Sequence, residues 1–152
     1  MSFEARLHNL GLALPPAPKP VASYIPAVRS GDLLFLSGVL PFQDGQLTCT
    51  GKVGRELTTD QGSAASRTAV LNALAVVRQE LGTLDRVRKV VRMVGHVASA
   101  DGFVQQPAVI NGASDLLVQI FDDAGRHARV AVGVAELPLN APVELELILE
   151  VN

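Results

Sequence analysis

Apolar residues recur along this chain with two alternating spacings, and the changes of spacing divide its 152 residues into helices and strands. Phe3, Leu7 and Leu10 fall on one face of a short helix that Ser2 can cap, with Glu4 in its first turn. Pro15, Pro16, Pro18 and Pro20 forbid any continuation and predict an extended arm. Tyr24–Val28 and Leu33–Ser37 read as two strands joined through Arg29-Ser30-Gly31-Asp32, where Gly and Asp suit a tight antiparallel hairpin. Leu33 to Leu36 is unbroken apolar sequence, the pattern of a central strand covered on both faces. Gly38 follows, where a bulge or a close backbone approach is expected. Residues 46–56 are polar and glycine-containing and read as loop with at most short strands.

Thr58 and Gln61 have capping-box spacing, and Val70, Leu74, Val77 and Leu81 continue at helical intervals to the stop at Gly82. Ala64, Ala65, Ala69 and Ala73 thin one side of this longest helix and allow it to lie close to a sheet. Val87, Val90, Val91 and Val94 give a strand through about Val97, with Arg88 and Arg92 on its more exposed side. Asp101 is expected to cap a second long helix with Pro107 in its first turns, Ile110, Ala113, Leu117 and Ile120 along its face, and Gly125 at its end. Strands Arg129–Ala135 and Val143–Val151 close the chain, the first covered on both faces, the second carrying Glu144, Glu146 and Glu150 on one face. This order predicts an α+β two-layer sandwich, a mixed sheet with helices on one face. Residues 1–152 form a single domain in this reading, with the helix and the proline-rich arm as residues 1–20.

Composition sharpens the picture. Hydrophobic residues make up 48% but aromatics only 4%, so the core must be built from Val, Leu, Ile and Ala. With few aromatics to fill a monomer's core, the apolar runs Leu33–Leu36 and Val130–Val134 point to a homotrimer whose sheets pack edge to edge. Thirteen Lys and Arg against fifteen Asp and Glu leave a net charge of -2, which gives nucleic-acid binding no support. A single cysteine, Cys49, excludes an internal disulfide framework and a cysteine metal cluster, and points to a reducing cytoplasm. No apolar run approaches the roughly 20 residues needed to span a bilayer. His8, His96 and His127 share no metal-ligand spacing, and Gly51-Lys52-Val53-Gly54 lacks the ending of a phosphate loop. These residues give no reason to expect a metal site.

What chemistry remains lies in four side chains. Arg129 opens an otherwise apolar strand, where it either pairs with a structural carboxylate or offers a planar fork of donors to an anionic ligand. Tyr24 brings a phenol, Glu144 a carboxylate able to move a proton, and Asn111 an amide that donates and accepts. Tyr24 is equally an ordinary strand aromatic and Glu144 an ordinary outward strand residue. His96 reads as structural, and His127 is ambiguous because it neighbours Arg129. Spacing alone does not bring these residues together.

Three segments together resemble the YjgF/RidA family across residues 20–151: Tyr24-Ile25-Pro26-Ala27-Val28, Gly31-Asp32 through Val39-Leu40-Pro41, and Ala128-Arg129 through Leu137-Pro138 with Val143-Glu144-Leu145-Glu146. The resemblance implies a chorismate mutase-like fold, a homotrimer with clefts between neighbouring subunits, and, in several members, hydrolysis of enamines or imines to 2-keto acids without a cofactor. It implies ligand-binding roles for Arg129, Tyr24, Asn111 and the backbone at Gly38, and a catalytic role for Glu144 beside Arg129. A non-catalytic binding or regulatory protein with the same cleft, and an endoribonuclease, are the alternatives it carries. Departures stand out. Ala131 replaces the cysteine often found two residues after the arginine, Ala22-Ser23 replaces the usual Gly-Pro before the tyrosine, and the N-terminal helix and the loop Phe42–Leu57 exceed the compact pattern. These features resemble a longer branch of the family.

Overall fold

The computed structural model describes residues 1–20 and 23–152, so Ala22 of the Ala22-Ser23 departure lies outside the described residues. The chain runs α1 (Phe3–Asn9), β1 (Ala27–Ser30), β2 (Leu33–Leu36), β3 (Phe42–Gln43), β4 (Gln46–Leu47), α2 (Thr59–Leu81), β5 (Val87–Ala98), α3 (Gln106–Phe121), β6 (Ala128–Val134) and β7 (Val143–Val151). Five strands form one mixed sheet in the order β1-β2-β7-β5-β6. All neighbours are antiparallel except β5 and β6. β3 and β4 make a separate small hairpin.

Local chemistry explains most boundaries. Ser2 caps α1 by accepting from the Ala5 N–H. At the start of α2 both capping-box bonds form, Gln61 N–H to Thr58 Oγ1 at 3.2 Å and Thr58 N–H to Gln61 Oε1 at 2.9 Å. Gly82 ends the helix in the left-handed region at φ 83°, where a side chain would be strained. Gly31-Asp32 makes the tight turn between β1 and β2, with Ser30 opposite Leu33. β1 begins at Ala27 rather than at Tyr24, because Pro26 has no N–H to give the ladder; its carbonyl still accepts from Ser37 N–H. Asp101 does not cap α3. Asp101-Gly102 forms a turn of its own, and the helix starts at Gln106 with Pro107 in the first turn, where its missing N–H leaves no gap.

The helices α2 and α3 pack on one face of the sheet. Leu74, Val77, Ile110, Leu117 and Ile120 meet Val90, Met93, Leu145, Leu147 and Leu149 in a core closed to solvent. Each such side chain contributes roughly 1.5 to 3 kcal/mol on burial. The helices touch closely because position 112 is glycine: a Cβ there would stand 2.6 Å from Ser63 Oγ, and Ser66 Oγ on α2 donates to the Val109 carbonyl of α3 at 2.8 Å.

The other sheet face is open, which corrects two expectations. β2 lies inside the sheet, but Leu34 and Leu36 alone face the helices, leaving Leu33 and Phe35 at 36% and 40% exposure. β6 is an edge strand, not one covered on both faces: Val130 and Val132 are each 36% exposed, while Arg129, Ala131 and Gly133 point to the helix side. Both runs are unbroken apolar sequence, yet within one chain there is a helix layer on one side only.

The arm of prolines lies on the chain's own surface. It walls a 690 Å³ cavity together with β3, the β3–β4 turn and the outer side of α2, and none of the four candidate side chains nor Gly38 lines it. Among the described residues no helix is long and apolar enough to cross a membrane, and no group of three His, Cys, Asp or Glu could hold a metal ion.

Candidate functional site

Arg129 is placed by the parallel pairing of β5 and β6. Its register partner is Met93, fully buried beneath the helices, so Arg129 also points to the helix side. From there its guanidinium reaches α3, where Nη1 donates to Ser114 Oγ at 2.9 Å and Nη2 to the Pro107 carbonyl at 3.2 Å. Asn111 is exposed on α3, four residues after Pro107 and three before Ser114, hence on the face that Arg129 meets. Among the described residues no carboxylate pairs with Arg129. Two of its five N–H donors are engaged by neutral oxygens, and the positive charge is left uncompensated.

Ser114 is absent from the candidates drawn from sequence, and His127 stands there only as ambiguous, beside Arg129 and outside the four. Ser114 Oγ lies 2.9 Å from His127 Nε2, and His127 Nδ1 lies 2.6 Å from the Gly125 carbonyl oxygen. Burial, with a smaller contribution from the Arg129 charge, holds the imidazole below its ordinary pKa. The spacing of Pro107, Asn111 and Ser114 by four and three was the available signal, but it points to Arg129 only once α3 is known to lie over β6.

Glu144 belongs to a second cluster. It stands on the open face of β7, opposite His96 of β5. Its carboxyl is half-buried, and desolvation raises its pKa; His96 opposes that rise and Glu146 adds to it. The His96 ring itself bonds Glu146, Nε2 to Oε2 at 2.7 Å. Gly38 makes the close approach expected of it: a Cβ at this position would stand 2.9 Å from Glu144 Cδ and 3.2 Å from Cγ, and would overlap Oε1. The carboxyl thus lies against bare backbone. Tyr24, 46% exposed, borders the same region in a shallow 60 Å³ groove with Ser37, Gly38 and Val39. Ser37 holds the segment in place, its hydroxyl donating to the Ile25 carbonyl at 2.7 Å.

Within one chain the two clusters are separate. Arg129 shares a cross-strand row with Met93 and Leu147, whereas Glu144 shares one with His96 and Val132. Two strand spacings and three residues put their Cα atoms about 14 Å apart. Their side chains also leave opposite faces of the sheet. Gly38 and Glu144 meet on one side, with Tyr24 bordering Gly38 in its groove; Arg129 lies on the other, against the face of α3 that carries Asn111.

A family model described as "YjgF/chorismate_mutase-like, putative endoribonuclease" matches residues 4–151. The chain belongs to the YjgF/RidA family. Its sheet and helix layer are the chorismate mutase-like sandwich of that family. Protein TCP17 of Trypanosoma cruzi is 44% identical over 97% of this chain and 93% of its own length. A 2-iminobutanoate/2-iminopropanoate deaminase of Dermatophagoides farinae is 31% identical over 93% of this chain and 95% of its own. Among solved structures, Atu1372 of Agrobacterium tumefaciens, a protein of unknown function, superposes with a TM-score of 0.92 at 44% identity, covering 99% of this chain and 92% of that one. A Thermotoga maritima family structure at 26% identity covers 90% of this chain and 92% of its own, with a TM-score of 0.62. YjgF/RidA structures thus include one that follows this chain through its N-terminal helix and one that follows it less closely.

Proposed function

We propose that this YjgF/RidA protein binds a small 2-imino or 2-keto carboxylate in clefts between the subunits of a homotrimer and hydrolyses the imine to the keto acid. The observation that carries the reading is the unpaired charge of Arg129. A structural arginine would face a carboxylate, whereas this guanidinium is held by a hydroxyl and a carbonyl and keeps donors free. The separation of Arg129 from Glu144 supports a shared cleft: one ligand can meet both only if two chains each supply one cluster. Exposed apolar side chains at both edges of the open sheet face, Val28 and Phe35 on β1 and β2 and Val130 and Val132 on β6, give copies of the chain surface to bury.

In such a cleft Arg129 grips the substrate carboxylate, with Asn111 beside it. Glu144, its basicity raised by desolvation and its position defined by Gly38, takes a proton from water as the oxygen attacks the imine carbon. The C=N bond becomes C–N, the proton passes to the nitrogen, and collapse of the adduct forms C=O and releases ammonia. The Dermatophagoides farinae relative, named for this reaction, supports the substrate class. No step needs a metal or an organic cofactor, and the setting is the cytoplasm.

The test is keto-acid formation from freshly generated 2-aminoacrylate, together with the mass of the protein in solution. Acceleration by a trimer supports the reading. Tight pyruvate binding without acceleration would make the protein a binder, and a stable monomer at micromolar concentration would remove the shared cleft.

A further inference from the structure

We infer that Ser114 and His127 are positioning residues for Arg129, forming with the Gly125 carbonyl a hydrogen-bond relay of one defined direction that aims the guanidinium at its ligand. The inference rests on Arg129 being the carboxylate anchor. It adds two residues that act through the arginine and do not touch the ligand.

The direction follows from what each atom can do. A carbonyl oxygen only accepts, so the 2.6 Å contact with Gly125 places the imidazole proton on Nδ1. In the neutral ring Nε2 is then the acceptor, and the Ser114 hydroxyl, 2.9 Å away, must donate to it. With its proton committed, Ser114 Oγ turns a lone pair to Arg129 Nη1, which donates across 2.9 Å. The Pro107 carbonyl takes a proton from Nη2 and fixes the other arm of the fork. Each member has one role left once its neighbour's is known, and together they join the turn after α3, two turns of α3 and the start of β6.

The fork must be held because it is planar. An unrestrained arginine samples many rotamers, and a bidentate carboxylate contact requires one plane in one place. Hydroxyl and carbonyl partners hold that plane without cancelling the charge, as a carboxylate would. Ser114 and His127 also have the spacing of a nucleophile and its base. In the relay the serine is instead an acceptor from a cation, which lowers the nucleophilicity of its oxygen.

Full-length Ser114→Ala, Ser114→Thr, His127→Ala and the Ser114→Ala/His127→Ala double variant would be compared with Arg129→Ala. The readouts are pyruvate binding by calorimetry, steady-state imine hydrolysis and melting temperature. Loss of one charge-assisted hydrogen bond predicts about tenfold weaker pyruvate binding in Ser114→Ala, with KM raised and kcat little changed. His127→Ala should lose a similar amount, and the double variant no more than the larger single loss, because both act along one path. Ser114→Thr retains the hydroxyl and should recover affinity to within about threefold of the original. Wild-type pyruvate affinity in well-folded Ser114→Ala and His127→Ala, beside clear loss in Arg129→Ala, would overturn the relay alone. Unchanged binding in Arg129→Ala would overturn the anchor and the relay with it. Covalent labelling of Ser114 by a fluorophosphonate would make it a nucleophile and also overturn the inference.

Discussion

Gly38→Ala separates position from chemistry at the proposed base. The added methyl would stand 2.9 Å from Glu144 Cδ and 3.2 Å from Cγ, and would overlap Oε1. The side chain is flexible and half-buried, so the carboxyl rather than the strand gives way, by about 1 Å to restore ordinary contact. A reacting group misplaced by about 1 Å costs on the order of 100-fold in rate. Pyruvate affinity, carried by Arg129 on the other cluster, should change by less than about threefold, and the melting temperature should hold because a displaced carboxylate regains water. The assay is kcat for imine hydrolysis beside pyruvate binding on the same preparation. In a Glu144→Gln background the glycine replacement should add little, since the group it displaces is already gone. Wild-type kcat in Gly38→Ala would refute the reasoning; so would a loss matched by equal losses of affinity and stability, which would make Gly38 a structural glycine alone.

Arg129→Lys keeps the charge without the fork and Arg129→Ala keeps neither, so pyruvate affinity should fall in the order Arg, Lys, Ala. A contact of roughly 2 to 4 kcal/mol puts the alanine loss on the order of 30-fold to 1000-fold. With no described carboxylate paired to it, the alanine variant should melt near the parent temperature; a large fall in melting temperature with affinity intact would restore the structural reading. Stability against pH tests Glu144. Its folded pKa lies above the ordinary 4.5, so the folded state holds the extra proton and loses stability as pH rises from there through the folded pKa. Glu144→Gln should therefore melt higher than the parent at pH 7.5 and equal to it below pH 4, and a gap of the same size at both pH values would contradict the shift. His127 works in the opposite sense, its contribution complete above 6.5 and lost as pH falls towards its lower folded pKa, and it cancels when the two proteins are compared at one pH.

Where a signal is carried by neighbours in the chain, the sequence by itself was enough. The Thr58–Gln61 box, the Gly82 stop, the Gly31-Asp32 turn and the full span of β7 each depend on residues a few positions apart, and each is as the sequence implied. The family, too, was legible from the segments around Tyr24, Gly38, Arg129 and Glu144. Tertiary structure decided whatever depends on a distant partner. Leu33–Leu36 and Val130–Val134 are apolar enough for two covers, and only the packing of both helices on one side shows which face is left open. Pairing of Arg129 with Met93, and of Glu144 with His96, sends the two side chains to opposite faces, a fact that no spacing along the chain contains. Ser114 and His127 likewise became partners of Arg129 only through the placement of α3 over β6. Periodicity states which residues share a face of their own strand or helix; it does not state against what that face is laid.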